Sequence, residues 1–317
     1  MPKPIEHWPA LVLTAGLATR LQPLSSVRAK AALPVAGTPL VTRILQQLQG
    51  AGIRRVVLNL HHRADSITSI VGDGSSLGLD VRYSWETEIL GSAGGPARAV
   101  PLLESDRFLI VNGDTLADVD LQALTHQHIE TNALVTMAVV PADPRYNAIV
   151  ADQAGIIRAF PNQLRVTPVT TGTFEKFHFV GVQAVNTAAF TGVNPDVRSE
   201  TVHGIYPPMI ASRPDALRVF RAGLEFFDIG TPRDYLETAI TIAAREGLPL
   251  DRGRGCVVAE DARLANTILW DRVTIGAGAE LTNCIVTDDV TVPPRSKYSH
   301  SSLVMRDNGV HVAPFAS

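Results

Sequence analysis

Residues 11–40 read LVLTAGLATRLQPLSSVRAKAALPVAGTPL, and this stretch decides the fold. The apolar run Leu11-Val12-Leu13 reads as a buried strand that opens directly into Thr14-Ala15-Gly16. Small residues in such a turn let an anion approach the backbone N–H groups. Arg20 and, ten residues later, Lys30 bring positive charge beside it. An arginine and a lysine taken at random are two solvated surface charges. Their place after a glycine turn at a strand end favours a phosphate site instead. The pattern is not the P-loop, because no Gly-Lys-Ser/Thr follows. It is not the dinucleotide fingerprint either, because Gly16-Leu17-Ala18 breaks GxG.

Working outward, strand-like and helix-like segments alternate. Leu11–Thr14, Arg54–Leu60, Leu79–Tyr83, Phe108–Asn112 and Ala133–Val140 read as strands. Thr38-Pro39 and Thr231-Pro232 each read as a cap followed by a proline in the first helical turn. The helices they open run to Gly50–Gly52 and to Glu246 before Gly247, and Pro96 opens another that ends near Leu103. This rhythm predicts an α/β fold: a Rossmann-like, mostly parallel sheet with helices on both faces. Ligands in such sheets bind at the carboxyl ends of strands, where Gly16 and Asp114 fall.

Beyond Leu250 the texture changes. RLANTILWDRVTI (263–275) matches ELTNCIVTDDVTV (280–292) at an offset of 17, and SSLVMR (301–306) echoes NCIVTD (283–288) at 18. Leu269, Ile275 and Leu281 also recur every six residues. The repeats predict a short parallel β-helix of hexapeptide turns; a few hairpins with coincidental spacing is the rival. The expected domains are therefore 1–250 and 251–317. The β-helix is expected to serve oligomerisation or domain packing, so that its removal changes the mass of the particle more than its turnover.

The chain has 317 residues, 45% of them hydrophobic, enough for a sizeable core. A formal charge of −3 argues against a general nucleic-acid binder. No apolar run reaches the roughly 18 residues of a membrane span, and Met1–Pro9 lacks a signal core. Cys256 and Cys284 are too few for a disulfide framework or a zinc cluster, which fits a reducing cytoplasm.

Three further segments carry chemistry. Asp114 in VNGDT follows a buried strand, beside Gly113; alone, it is as well read as a turn former. Asp228 in FFDIGTP precedes a helix whose better cap is Thr231, which leaves the carboxylate for another task. Two such aspartates with a phosphate-rich ligand suit Mg²⁺. WETEILGSAGGP (85–96) reads as a flexible small-residue loop fit to lie against a base or ribose, or as a plain connection. His61-His62 reads as a solvated loop end, His178 as a structural histidine or a sugar-pocket wall, and Trp270-Asp271-Arg272 as a turn of the coil.

Together these residues resemble the sugar-1-phosphate nucleotidylyltransferases. The opening signature AGxGTRLxPLT…PKP…PVxGxP matches 15–25, Lys30 and 34–39. LGTAG matches 90–94, GD matches Gly113-Asp114, and W-x-DIGTP matches 226–232. The match runs in order from Leu11 to about Leu236, and many members carry a C-terminal left-handed β-helix. The chain departs at Ala18 (a glycine in the family), at Ala29 and Ala31 (prolines) and at Phe226 (tryptophan). No EKP precedes FVGV (179–182), so Arg158 or Lys176 stands in for its sugar-phosphate lysine. The branch without EKP includes muramate-phosphate uridylyltransferases and some bacterial mannose- or heptose-phosphate guanylyltransferases.

The resemblance implies the NDP-sugar transferase fold and the transfer of a nucleotidyl group from GTP or UTP to a sugar-1-phosphate. The candidates are guanylyl transfer (mannose- or heptose-1-phosphate type) and uridylyl transfer (glucose- or muramate-1-phosphate type). It assigns Arg20 and Lys30 to catalysis, Asp114 and Asp228 to Mg²⁺, and Ala15, Gly16, Thr19, Glu86, Gly91, Ser92, Gly113 and Gly181 to the nucleotide and sugar. Glu86 stands five residues before Gly91, where relatives face the base. A carboxylate only accepts hydrogen bonds, and guanine offers two adjacent donors where uracil offers one, so GTP leads. A homo-oligomer built through the β-helix is expected. The rival function is a non-catalytic regulatory or scaffold relative, which typically loses the aspartates or the lysine that this chain keeps. An acyltransferase role for the β-helix finds no histidine in 263–292.

Overall fold

Leu11 and Val12 are fully buried in strand β1 (Ala10–Leu13), which has a hydrogen-bonded neighbour on each side. The computed structural model describes residues 5–142, 148–160, 173–223, 226–250, 252–307 and 309–316. After β1 come β2 (Arg55–Leu60), β3 (Asp80–Trp85) and β4 (Arg107–Asn112). These four lie side by side as β4-β1-β2-β3, all parallel. Buried central strands of this kind need continuous apolar runs, which β1, β2 and β4 carry. Five further strands follow: β5 (Val135–Pro141), β6 (Ile149–Asp152), β7 (Ile157–Ala159), β8 (Phe174–Asn186) and β9 (Leu217–Arg221). The nine-stranded sheet has the order β7-β6-β8-β4-β1-β2-β3, with β5 pairing β8 and β9. The long β8 runs antiparallel to β4, β5 and β6, while β5 and β9 are parallel.

The helices are α1 (Leu40–Gly50), α2 (Ala64–Val71), α3 (Gly91–Leu103), α4 (Leu121–Thr131), α5 (Tyr206–Ser212) and α6 (Pro232–Glu246). α6 matches its sequence signals: the Thr231 hydroxyl accepts from Asp234 N–H at 3.2 Å, and Gly247 ends the helix at φ +65°. Two helix starts differ from expectation. Thr38-Pro39 forms a small hairpin with Pro34-Val35, so α1 begins at Leu40. Ala36 and Gly37, both at positive φ, make its two-residue turn. α3 begins five residues before Pro96, at Gly91.

By internal contacts the chain forms two units: Met1–Ala15, Ile44–His61 and Val71–Phe226; and Gly16–Arg43, His62–Ile70 and Phe227–Ser317. This grouping interleaves along the chain, where the sequence divides it at residue 250. The first unit holds the nine-stranded sheet and its core, including Leu11, Phe108, Ile110 and Tyr206.

In the second unit the C-terminal strands stack in parallel. Leu264 lies against Leu281, Ile268 against Ile285 and Thr274 against Thr291, the predicted spacing of 17. The third turn keeps it too, with Cys284 against Ser301, so the expected offset of 18 is corrected to 17. The stacked turns bury an apolar column that includes Leu269, Ile275, Leu281, Val286 and Val292. Asn266, Asn283 and His300 occupy equivalent corners at positive φ and bond one to the next, at 3.1 and 2.9 Å. The final strand, Gly309–Pro314, turns back antiparallel on Lys297–Arg306.

Side chains explain why residues 16–43 group with these turns. Arg28 reaches Asp288 with Nε (2.8 Å) and Nη2 (2.6 Å), and Asp271 with Nη2 (2.7 Å). Its guanidinium lies 5.1 Å from the centroid of buried Trp270. The Trp270 indole N–H donates to the Tyr235 hydroxyl (3.2 Å), which donates to Pro34 O (2.6 Å). Trp270 and Asp271 are thus more than a turn of the coil. The β-helix holds the basic segment from within one unit.

Candidate active site

Within the first unit, the carboxyl ends of β1, β2 and β3 are tied by one polar chain. Thr14 N–H donates to Asn59 Oδ1 (2.6 Å), and the Thr14 hydroxyl donates to Asn59 O. Asn59 Nδ2 donates to Glu86 Oε1 (2.8 Å), and Leu90 N–H donates to Glu86 Oε2 (2.8 Å). Glu86 is 5% exposed, so it does not simply point to solvent. Both oxygens are oriented by donors, and each keeps a further lone pair. Ala15 follows directly after this anchored threonine. Asn59 was not among the expected site residues. Its trace in the sequence is a lone polar residue near the end of the apolar run RRVVLNL.

Gly113 and Asp114 follow β4. Gly113 N–H donates to Leu13 O (2.9 Å), and a Cβ at Gly113 would come 2.5 Å from that oxygen. The glycine is therefore required by the approach of two strand ends. Asp114 is half-buried and accepts from the Thr115 hydroxyl (3.1 Å). Gly181 sits in β8 at φ +82°, where the pairing with β5 shifts register, and an added Cβ would press on Asn112 at 3.0 Å.

The expected flexible loop at Gly91–Gly95 is instead the first turn of α3. The Ser92 hydroxyl and N–H both donate to Glu200 Oε2, at 2.7 and 3.2 Å, and Ala93 N–H donates to Ser199 O (2.9 Å). Cβ atoms at Gly91 and Gly94 would lie 2.6 Å from Ser199 O and 2.7 Å from Val197 O. The glycines admit residues 197–200 against the helix start. Burial works to raise the Glu200 carboxyl, but Ser92 and Arg198 outweigh it and hold it below the usual carboxylate range.

The second unit carries Gly16, Thr19, Arg20, Lys30 and Asp228. Gly16 has open space where a Cβ would stand, and Thr19 and Arg20 are exposed at a short 3₁₀ turn. Ala18 has φ 49° and ψ 48°. This left-handed conformation explains the family's glycine there and costs an alanine about 1 kcal/mol. Arg20 lies over the DIGTP turn: a Cβ on Gly230 would come 3.4 Å from its Nη1. Thr231 supplies the cap, so Asp228 is not spent on that task. Lys30 opens a 3₁₀ turn between the buried Ala29 and Ala31. Ala29 N–H donates to the Ser66 hydroxyl (3.0 Å), a bond that the family's proline cannot make.

Arg158 is held by Asp152 through Nε (2.9 Å) and Nη2 (2.7 Å), whereas Lys176 is exposed. His61 and His62 bond the carbonyls of Glu86 and Ser25, and His178 stacks on Phe226 at 4.8 Å. Tyr146 and residues 161–172, part of the segment expected to set sugar specificity, lie outside the described residues. Among the described residues no three His, Cys, Asp or Glu side chains group as a metal cage, and no helix is long and apolar enough to cross a membrane.

The chain matches the family model described as nucleotidyl transferase over residues 9–245. It is 30% identical over 295 residues to a mannose-1-phosphate guanylyltransferase of Mycobacterium tuberculosis, across 89% of this chain and 80% of that one. It is 42% identical over 115 residues to an N-acetylmuramate alpha-1-phosphate uridylyltransferase of Neisseria meningitidis, across 36% of this chain and 50% of that one. The crystal structure of HddC from Yersinia pseudotuberculosis shares the fold, with a TM-score of 0.62, 21% identity, and coverage of 74% of this chain and 99% of that one.

Proposed function

The chain belongs to the nucleotidyl transferase family, whose relatives here are sugar-1-phosphate nucleotidyltransferases, and from that premise we propose that it transfers a guanylyl group from GTP to a mannose-type sugar-1-phosphate. The observation that carries the base choice is Glu86. Its buried carboxylate is aimed by Asn59 and Leu90 and can only accept, which suits the paired N1–H and N2–H₂ donors of guanine. The M. tuberculosis guanylyltransferase supports the same choice, as does a second HddC structure, complexed with GMP-PN (TM-score 0.62, 22% identity). Uridylyl transfer is the second reading, favoured by the local match to the N. meningitidis protein.

An oxygen of the sugar phosphate attacks the α-phosphorus of the triphosphate, the bond to the bridging α–β oxygen breaks, and pyrophosphate leaves. The nucleophile is already anionic, so no general base is needed; positioning and charge neutralisation supply the rate. The Thr14–Gly16 turn offers backbone N–H groups to the phosphates, with Thr19 beside it. Lys30 orients the phosphates around the attacked phosphorus, and Arg20 meets charge growing on the leaving pyrophosphate. Gly91 and Ser92 start the helix beside the base, and Gly113 and Gly181 let Leu13 and Asn112 pack close at the strand ends that border the sugar. Lys176 takes the place of the absent EKP lysine, because Asp152 occupies Arg158.

Asp114 and Asp228 would hold Mg²⁺. Two carboxylates completed by phosphate oxygens and water are the donor set this hard cation prefers. When bound, it supplies Lewis-acid neutralisation of the phosphates.

The test is pyrophosphate release from each common nucleoside triphosphate against α-mannose-, heptose-, glucose- and muramate-type 1-phosphates with Mg²⁺. GTP with a mannose-type sugar should give the highest kcat/KM. A higher value for UTP overturns the base assignment.

A further inference from the structure

Inside the second unit is a cavity of about 460 Å³ that none of the residues assigned above line. This size falls in the usual range for small-molecule sites. Three arginines border it, Arg28, Arg252 and Arg254, and the carboxylate on its wall is Asp271.

That carboxylate is already engaged. Asp271 Oδ2 holds Arg28, and Oδ1 accepts the backbone N–H of Arg254 (2.8 Å). Asp288 completes the clamp on Arg28. The guanidinium groups of Arg252 and Arg254 are exposed and have no side-chain partner among the described residues. Counting Asp288, three guanidinium groups face two carboxylates among the described residues, a surplus of positive charge. The backbone beneath the two free arginines is pinned. Gly253 N–H donates to Leu269 O (2.8 Å), Arg272 N–H donates to Arg254 O (2.7 Å), and any Cβ at Gly253 would collide with the Trp270 carbonyl. Arg252 and Arg254 are therefore presented from a fixed edge of the β-helix.

We propose that this cavity binds a small phosphomonoester, its phosphate forked by Arg252 and Arg254 and its organic part against Pro34, Pro39 and Ile70. Paired guanidinium forks match a phosphate dianion in charge and geometry. The site reaches the reaction through Arg28, which borders the cavity and stands two residues before Lys30. A phosphate in the cavity competes with Asp271 and Asp288 for Arg28 and so shifts the segment that carries Lys30. This coupling rests on the assignment of Lys30 to catalysis; the binding does not.

The experiment is calorimetric titration of the full chain with glucose 6-phosphate, which lacks a 1-phosphate, and in parallel with inorganic phosphate. Saturable binding is expected, tighter for glucose 6-phosphate. Arg252→Ala/Arg254→Ala should weaken it at least tenfold while kcat and KM without the probe stay unchanged. Lys30→Ala should still bind the probe even when turnover is lost. Equal affinity in the double-arginine variant, tighter binding of inorganic phosphate, or loss of binding in Lys30→Ala each overturns the proposal. Normal turnover in Lys30→Ala refutes the catalytic assignment instead. A wild-type turnover that is indifferent to a saturating probe refutes the coupling.

Discussion

Glu86→Gln should do more damage than its size predicts, and a second substitution should repair most of it. Both Glu86 oxygens receive N–H donors, Asn59 Nδ2 and Leu90 N, each at 2.8 Å. A glutamine must turn its own NH₂ against one of them, and a buried donor facing a donor costs about 1–3 kcal/mol. Asn59→Asp should cost a similar amount, because it sets a second carboxylate against Glu86. In the double variant the polarity of the contact is reversed. An aspartate at 59 keeps the Thr14 N–H and accepts from glutamine 86, whose oxygen keeps the Leu90 N–H. A double-mutant cycle should therefore show about 2–4 kcal/mol of favourable coupling. Thermal denaturation of the four proteins measures it, at roughly 2–4 °C of midpoint per kcal/mol for a chain of this size. Additivity within about 0.5 kcal/mol would refute the hydrogen-bond polarity assigned here. The refolded double variant also isolates base choice: its ratio of kcat/KM for GTP over UTP should fall about tenfold, a change of ~1.4 kcal/mol. An unchanged ratio would sink the base-reading role of Glu86.

Asp114→Ala and Lys30→Ala should each lose about 10²- to 10³-fold in turnover with unchanged circular dichroism, as expected when one preorganised charge is removed; near-normal rates in either would end its assignment. Ala18→Gly should raise thermal stability by about 1 kcal/mol by relieving its left-handed backbone, and a drop in melting temperature would contradict that geometry. His128, buried beside Trp8, has its imidazole pushed down to about 4 by burial, with Arg107 adding to the effect. The unfolded chain binds a proton there near pH 6.5 and the folded chain does not, so stability should decline by up to about 3 kcal/mol as pH drops from 6.5 to 4. His128→Gln should flatten that slope, and an unaltered slope would place its origin elsewhere. Removing 251–317 should lower turnover as well as alter the mass seen by light scattering, because Asp271, Asp288 and Trp270 support the Lys30 segment; full activity in the truncated protein would show that support to be dispensable.

The parallel core and the stacked turns were legible because local pattern and structure share a period. Leu264 and Leu281, or Asn266 and Asn283, match in sequence because they stack in space. Gly91–Gly95 misled for the opposite reason. Glycines usually mark loops, but here they admit Ser199 and Glu200, which arrive from more than a hundred residues away. Arg28 was overlooked beside Arg20 and Lys30. The trace it left was indirect: Asp271 and Asp288, one turn of the coil apart, place two carboxylates at one corner, and such a pair needs a cation. Asn59 needed the registers of three strands before its bridging role was visible.

The reversed last strand, Gly309–Pro314, settles a question of growth. A stack of parallel turns is a template, and an open end invites another chain to continue it. Here the third turn is met by its own chain running the opposite way, from Ser301 paired with Pro314 to Arg306 paired with Gly309. The hydrogen-bonding groups that would have received a fourth parallel turn are already taken along that length. Polymerisation by end-to-end extension is therefore blocked on that side. A second copy that docks along that length has to meet the flanks of the coil instead of extending its ladder.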